Sequence, residues 1–118
     1  MDAAQLAGTG VSASPADQVL RLAKLATQSG IDGFVCSAEE VAAVRAATGP
    51  DTLLVIPGIR PAGTAIGDQK RIATPAQAIA GGASMLVVGR PITQAPDPAG
   101  AAQDILDEIA RAEASQKK

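Results

Sequence analysis

The chain has no histidine, tryptophan or tyrosine, one phenylalanine (Phe34), one cysteine (Cys36) and two methionines among 118 residues. Each shortage excludes something. Without histidine, with one cysteine and with no carboxylates clustered at ligand spacing, there is no metal-binding pattern. A lone cysteine cannot close an intramolecular disulfide, which fits a reducing compartment. No histidine is present to deprotonate Cys36, so its expected role is that of a small packing residue. Ten basic residues against twelve acidic ones give a net charge of −2. That balance offers no continuous basic surface to follow a phosphate backbone and argues against nucleic acid as a partner. No apolar run reaches the roughly 18 residues that cross a bilayer, and the N-terminus lacks the basic and apolar regions of a signal peptide. These absences together read as a soluble, cytoplasmic protein with no membrane partner.

What is present is an α/β palette. The apolar share, 47%, comes mostly from alanine, valine, leucine and isoleucine, and it favours helices packed on a buried sheet over an aromatic-rich sandwich. The length allows one small domain, which buries roughly 60 to 70% of its unfolded surface. Four helix starts are legible at Ser14-Pro15-Ala16-Asp17, Ser37-Ala38-Glu39-Glu40, Thr74-Pro75-Ala76-Gln77 and Asp97-Pro98. In each a side-chain oxygen can accept from a first-turn amide, and proline at the first helical position loses no hydrogen bond. The pattern predicts helices over about 15–29, 38–47, 75–80 and 98–114, with a frayed tail over 115–118. The first should present Val19, Leu22, Ala23 and Ala26 on one face, with Gly30 as its left-handed C-terminal cap.

Between these helices lie three short apolar runs, 33–36, 53–56 and 85–88. They lack polar alternation, as parallel strands do when both faces of their sheet are covered. The order helix, strand, helix, strand, helix, strand, helix is parallel α/β architecture with right-handed crossovers, either a small open sheet or part of a closed barrel. Residues 1–11 read as a loop or short helix that ought to follow a strand, as though the chain starts in the middle of a fold.

Two of the strands end alike. Leu53-Leu54-Val55-Ile56 leads into Pro57-Gly58-Ile59-Arg60, and Met85-Leu86-Val87-Val88 leads into Gly89-Arg90-Pro91-Ile92-Thr93. A glycine that exposes its backbone and a guanidinium, both at the carboxyl end of a buried strand, stand where α/β sheets hold ligands. Two such ends side by side suggest an anion site, with Arg90 able to pair bidentately with a phosphate. The less favoured alternative is that Arg90 bridges to a neighbouring carboxylate. The segment from Pro57 to Arg71, with Gly63 and Gly67-Asp68-Gln69-Lys70-Arg71, suits a loop closing over phosphate, and it also suits an ordinary surface loop rich in turn formers. Glu39 and Glu40 read as helix-start residues.

Taken together, Pro57-Gly58-Ile59-Arg60-Pro61, Gly67-Asp68-Gln69-Lys70-Arg71, Thr74-Pro75 and Val88-Gly89-Arg90-Pro91-Ile92-Thr93 closely resemble the C-terminal part of orotidine 5'-monophosphate decarboxylases. The likeness extends over nearly the whole chain, including Ser14-Pro15 and the run Asp32 to Ser37. It implies a (β/α)8 TIM barrel of which the chain is a single incomplete unit, the phosphate-binding half. Three parallel strands, six to eight of the barrel, would be accompanied by about four helices. It implies that Arg60 and Gln69 contact the nucleotide, Gln69 bridging phosphate and pyrimidine, and that Gly89 and Arg90 hold the 5'-phosphate beside Gly58. The implied ligand is orotidine 5'-phosphate or UMP, with no cofactor.

The same resemblance marks a departure. The family's catalytic Asp-x-Lys-x-x-Asp is missing. The nearest string, Asp68-Gln69-Lys70, has Ala73 where the second aspartate belongs and lies in the phosphate loop. The resemblance therefore implies a lyase of pyrimidine biosynthesis whose isolated chain has no catalytic residues of its own and is inactive. An alternative is a non-catalytic nucleotide- or phosphate-binding half-barrel or assembly module. Half a barrel would leave apolar surface and two strand edges open, which predicts a homo-oligomer or pairing with the missing half.

Overall fold

Helix starts and glycine stops divide the chain as their local chemistry dictates. The computed structural model describes residues 1–61 and 73–116. Helix α1 spans Ala3–Gly8, α2 Pro15–Gln28 and α3 Val41–Thr48; α4 spans Pro75–Gly81, α5 Arg90–Thr93 and α6 Pro98–Gln116. Strands β1 (Gly33–Val35), β2 (Leu53–Ile56) and β3 (Met85–Leu86) form one parallel sheet in the order β1-β2-β3. At α2, Ser14 Oγ accepts from the Asp17 amide at 3.1 Å, with Pro15 following it. At α4, Thr74 Oγ1 accepts from the Gln77 amide at 3.2 Å while Gln77 Oε1 accepts from the Thr74 amide at 3.0 Å. This closes a capping box. Gly82 ends α4 at φ 111°, a left-handed conformation that glycine adopts without steric cost.

Three expectations change. Ser37 does not cap α3: the helix begins at Val41, its N-cap Glu40 makes no side-chain cap bond, and Ser37 uses its carbonyl to accept from the Glu40 amide in a turn. Burial of Val41 and Val44 against the sheet sets where the helix lies, and the Ser37 hydroxyl is turned inward, away from any first-turn amide. Secondly, α6 runs through Ser115 to Gln116 rather than fraying, because Gln116 Nε2 donates to the Ile79 carbonyl at 2.6 Å and fastens its last turn to α4. One short helix, α5, adds to the four expected, and the loop or short helix expected over residues 1–11 is a short helix, α1. Helix α1 starts with an Asp2–Gln5 capping box. The four residues expected on one face of α2, Val19, Leu22, Ala23 and Ala26, do share one and border a single hollow, where Ala23 is buried and Leu22 is 55% exposed.

The core lies on one side of the sheet. Leu54 and Ile56 of β2 are wholly buried, with Phe34, Leu86 and Val88 beside them, under Ala23, Val41, Val44 and Ala78 from the helices. Strand side chains alternate across the sheet, and the register pairs Val35 with Val55 and Val55 with Met85. Val35, Leu53, Met85 and Val87 therefore share the opposite face, where Val35 is 72% exposed. The strands are apolar on both faces, as expected of covered parallel strands, yet among the described residues helices cover only one.

Arg45 gathers the segments that enter β2 and β3. Its Nη1 donates to the Gly49 and Thr52 carbonyls at 2.8 and 2.7 Å. Nη2 donates to the Gly82 carbonyl at 2.7 Å and to Ser84 Oγ at 3.0 Å, and Nε to the Gly82 carbonyl at 3.1 Å. Ser84 Oγ in turn accepts from the Leu54 amide at 3.0 Å. One guanidinium thus ties α3 to the amino ends of β2 and β3, opposite the end where ligands sit in parallel sheets.

Candidate functional site

Beyond its last paired residue, β2 turns through Pro57 and Gly58, the latter at φ 74°, a conformation glycine tolerates and other residues rarely adopt. Ile59 then forms a parallel bridge with Ala73, and the Arg60 amide donates to the Ala73 carbonyl at 3.0 Å. Ile59 is buried, so it anchors the turn and leaves Arg60 half-buried beside it. On the neighbouring strand the Val87 amide donates to the Ile56 carbonyl at 3.0 Å, which carries the pairing one residue past β3. The chain then turns at Gly89 into α5, with the Gly89 carbonyl accepting from the amides of Ile92 and Thr93 at 2.9 and 3.1 Å.

These two strand ends border one open pocket of about 220 Å³, lined by Gly58, Ile59, Arg60, Val87, Gly89, Arg90 and Pro91. Four of the five residues singled out from the sequence, Gly58, Arg60, Gly89 and Arg90, meet there. The fifth, Gln69, lies outside the described residues, as does the rest of the Gly67 to Arg71 string. A Cβ built on Gly89 would meet no atom within 4 Å. Packing among the described residues therefore does not require glycine at 89, and they leave the space over its backbone open. Two guanidiniums and an accessible main chain at the carboxyl ends of adjacent parallel strands suit a phosphate, whose oxygens accept several charge-assisted hydrogen bonds at once. Pro91 and Val87 add an apolar wall that residue-by-residue reading did not single out, although both flank the Gly-Arg pair.

Among the described residues that line this pocket, Arg60 and Arg90 are the ones with charged side chains. Burial pushes the Cys36 thiol up from its ordinary range; the negative charge of Glu40 adds to this and Arg45 offsets part of it. A protonated, partly buried thiol is consistent with packing and not with attack. Among the described residues no group of three or more His, Cys, Asp or Glu side chains could hold a metal ion, and no helix is long and apolar enough to cross a membrane.

Residues 1–105 match the orotidine 5'-phosphate decarboxylase / HUMPS family. The orotidine 5'-phosphate decarboxylase of Gluconobacter oxydans (strain 621H) is 57% identical over 112 residues, which are 95% of this chain and 48% of that protein. That of Anaeromyxobacter sp. (strain K) is 58% identical over 105 residues, 89% of this chain and 46% of that protein. The crystal structure of the Lactobacillus acidophilus orotidine 5'-phosphate decarboxylase superposes with a TM-score of 0.76 at 41% identity, over 92% of this chain and 44% of that one. The Pyrococcus horikoshii OT3 enzyme superposes with a TM-score of 0.60 at 28% identity, over 77% and 41%. The chain spans about half the length of the curated relatives it matches. Its three parallel strands and their helices are the part of the (β/α)8 fold that the sequence led us to expect.

Proposed function

Since the chain belongs to the orotidine 5'-phosphate decarboxylase / HUMPS family, we propose that it is the phosphate-binding half of a decarboxylase that converts orotidine 5'-phosphate to UMP. The observation that carries this reading is the convergence of Gly58 and Arg60 with Gly89 and Arg90 on one pocket. Arg60 and Arg90 pair with the 5'-phosphate, the Gly58 and Gly89 backbones let it approach, and Gln69 bridges phosphate and pyrimidine. In the whole enzyme, binding energy from this remote phosphate stabilises the transition state at the base. The chain has no lysine among aspartates in an Asp-x-Lys-x-x-Asp arrangement. It therefore has no general acid and no charged network to supply the chemical step, and alone it is inactive.

The uncovered apolar face and the two open sheet edges support pairing with the missing half of the barrel, or with further copies of the chain, in the cytoplasm. The test is an amide-resolved NMR titration of the isolated chain with UMP, beside a decarboxylation assay of the same sample. Shifts at Gly58, Gln69, Gly89 and Arg90 without turnover are the expected result. Unmoved resonances would remove the phosphate reading, and turnover by the pure chain would remove the claim of inactivity.

A further inference from the structure

The first turn of α4 is closed from outside its own sequence. A helix start leaves its first amides without intrahelical acceptors, and at α4 each of them can be followed. The Thr74 amide donates to Gln77 Oε1 and the Gln77 amide to Thr74 Oγ1, within the capping box. Pro75 has no N–H to place. The Ala76 amide takes no part in the box and donates at 2.8 Å to Oε2 of Glu108, 32 residues on in α6. A carboxylate there meets both an orphan donor and the positive end of the helix. The same helix grips α4 a second time, through the bond from Gln116 Nε2 to the Ile79 carbonyl at 2.6 Å. Residues 108 and 116 stand about 80° apart around α6, so one side of it reaches α4 near its start and near its end.

What this grip serves lies just before α4. Ala73 precedes the Thr74 cap, bridges Ile59, and accepts from the Arg60 amide at 3.0 Å. Arg60 lines the phosphate pocket. On the other wall of that pocket Arg90 opens α5, which packs on α6. Helix α6 is therefore connected to both arginines: to Arg90 through α5, and to Arg60 through Glu108, the first turn of α4 and Ala73. The capping box can start α4 without Glu108. It cannot fix the distance between that start and α6, and this distance enters the separation of the two guanidiniums.

We propose that Glu108 is a positioning residue for the phosphate pocket, which by closing the first turn of α4 fixes Ala73 and, through Ala73, the place from which Arg60 meets the phosphate. The proposal rests on the reading of Arg60 as a phosphate ligand. Glu108 itself touches no ligand; it acts through the backbone that carries Arg60.

The test uses the full chain, with Glu108→Ala, in two measurements. Amide exchange needs no ligand. Loss of Glu108 should speed exchange at Arg60 about tenfold while Leu54 and Val87, whose amides are bonded elsewhere, keep their parental rates, as local opening does and global unfolding does not. UMP affinity should fall about fivefold or more. In an Arg60→Ala background the same change should cause no further fall, because its effect passes through Arg60. Glu108→Asp, one methylene short of the Ala76 amide, is the gentler variant and should show the same pattern in smaller measure; Glu108→Gln keeps the reach and the acceptor and should restore the parental values. Equal acceleration at Arg60, Leu54 and Val87 would make Glu108 a general stabiliser and overturn the proposal, and so would an affinity loss that adds in full to that of Arg60→Ala. Parental UMP affinity in Glu108→Ala overturns this inference alone. A parental chain that does not bind UMP overturns the phosphate reading, and exchange at Arg60 then still decides whether Glu108 holds it.

Discussion

The Arg60 amide donates to the Ala73 carbonyl at 3.0 Å, tying the chain just past β2 to the residue that precedes the Thr74 cap of α4. This bond sits beside the Ile59–Ala73 bridge, and both residues of the bridge are buried. Glu108 of α6 then accepts from the Ala76 amide at 2.8 Å in the first turn of α4. Arg60 is therefore held from its backbone by a rigid relay of strand, bridge and helix cap. If Arg60 binds phosphate as proposed, the ligand need not order its backbone, and the ordering cost falls on the side chain alone.

Arg60→Ala and Arg90→Ala should each reduce UMP affinity by about 10- to 100-fold, which corresponds to about 1.5–3 kcal/mol for a hydrogen bond to a charged group. Lysine at either position restores part of the loss, because it keeps the charge but not the two-pronged geometry. Calorimetric titration of the isolated chain measures both. A loss in neither alanine variant would place the phosphate elsewhere.

Arg45→Met should lower stability by about 2–3 kcal/mol. The change leaves the carbonyls of Gly49, Thr52 and Gly82 without a donor that now reaches all three. Arg45→Lys recovers little, since one ammonium cannot span these acceptors. Urea denaturation checks the loss, and a midpoint shift with unchanged slope would mark it as a change in stability and not in compactness.

Thr74, Pro75 and Gln77 show why much of the fold was legible in the sequence. Their capping box is completed within four residues, so spacing alone reveals it. The glycine-arginine pairs were equally local, and the strands that bring them together are short apolar runs between clear helix signals. Arg45 was not legible, because two of its acceptors, Gly82 and Ser84, are 37 and 39 residues away and nothing near Arg45 announces them. Ser37 misled for a related reason: it has the right neighbours for a cap, and tertiary burial of Val41 and Val44 outweighed a cap worth about 1 kcal/mol. Helical periodicity placed Leu22 on the apolar face of α2 with Val19, Ala23 and Ala26, but it carries no information on how far that face is covered, and Leu22 is 55% exposed.

Gly81→Ala should destabilise the chain and be rescued by shortening its neighbour. A Cβ at 81 would lie 2.8 Å from Val41 Cγ1, closer than carbon atoms pack, and Val41 is buried. Overpacking of this kind costs about 1–3 kcal/mol. Val41→Ala alone leaves a cavity and is also destabilising. If the contact limits how closely α3 and α4 approach, the double variant is more stable than the sum of the two single losses predicts. Strict additivity in denaturation would show that the helices shift apart instead.

The pH dependence of stability should carry the mark of Cys36. Burial, with Glu40 as the second cause, raises the folded-state thiol above its ordinary value, which is about 8.5 in an unfolded chain. Below that value the thiol is protonated in both states and contributes no slope. As pH rises further, the unfolded chain loses this proton first and so binds fewer protons than the folded one, and stability falls until the folded thiol also ionises. Cys36→Ala removes that part of the decline, which denaturation at pH 7 and at alkaline pH would detect as a smaller difference between the two. The same shift predicts slow alkylation of Cys36 at neutral pH, with a midpoint displaced upward from that of the urea-unfolded chain. An alkylation midpoint at or below the unfolded value would show that the thiol is solvated and that its environment is not the one described.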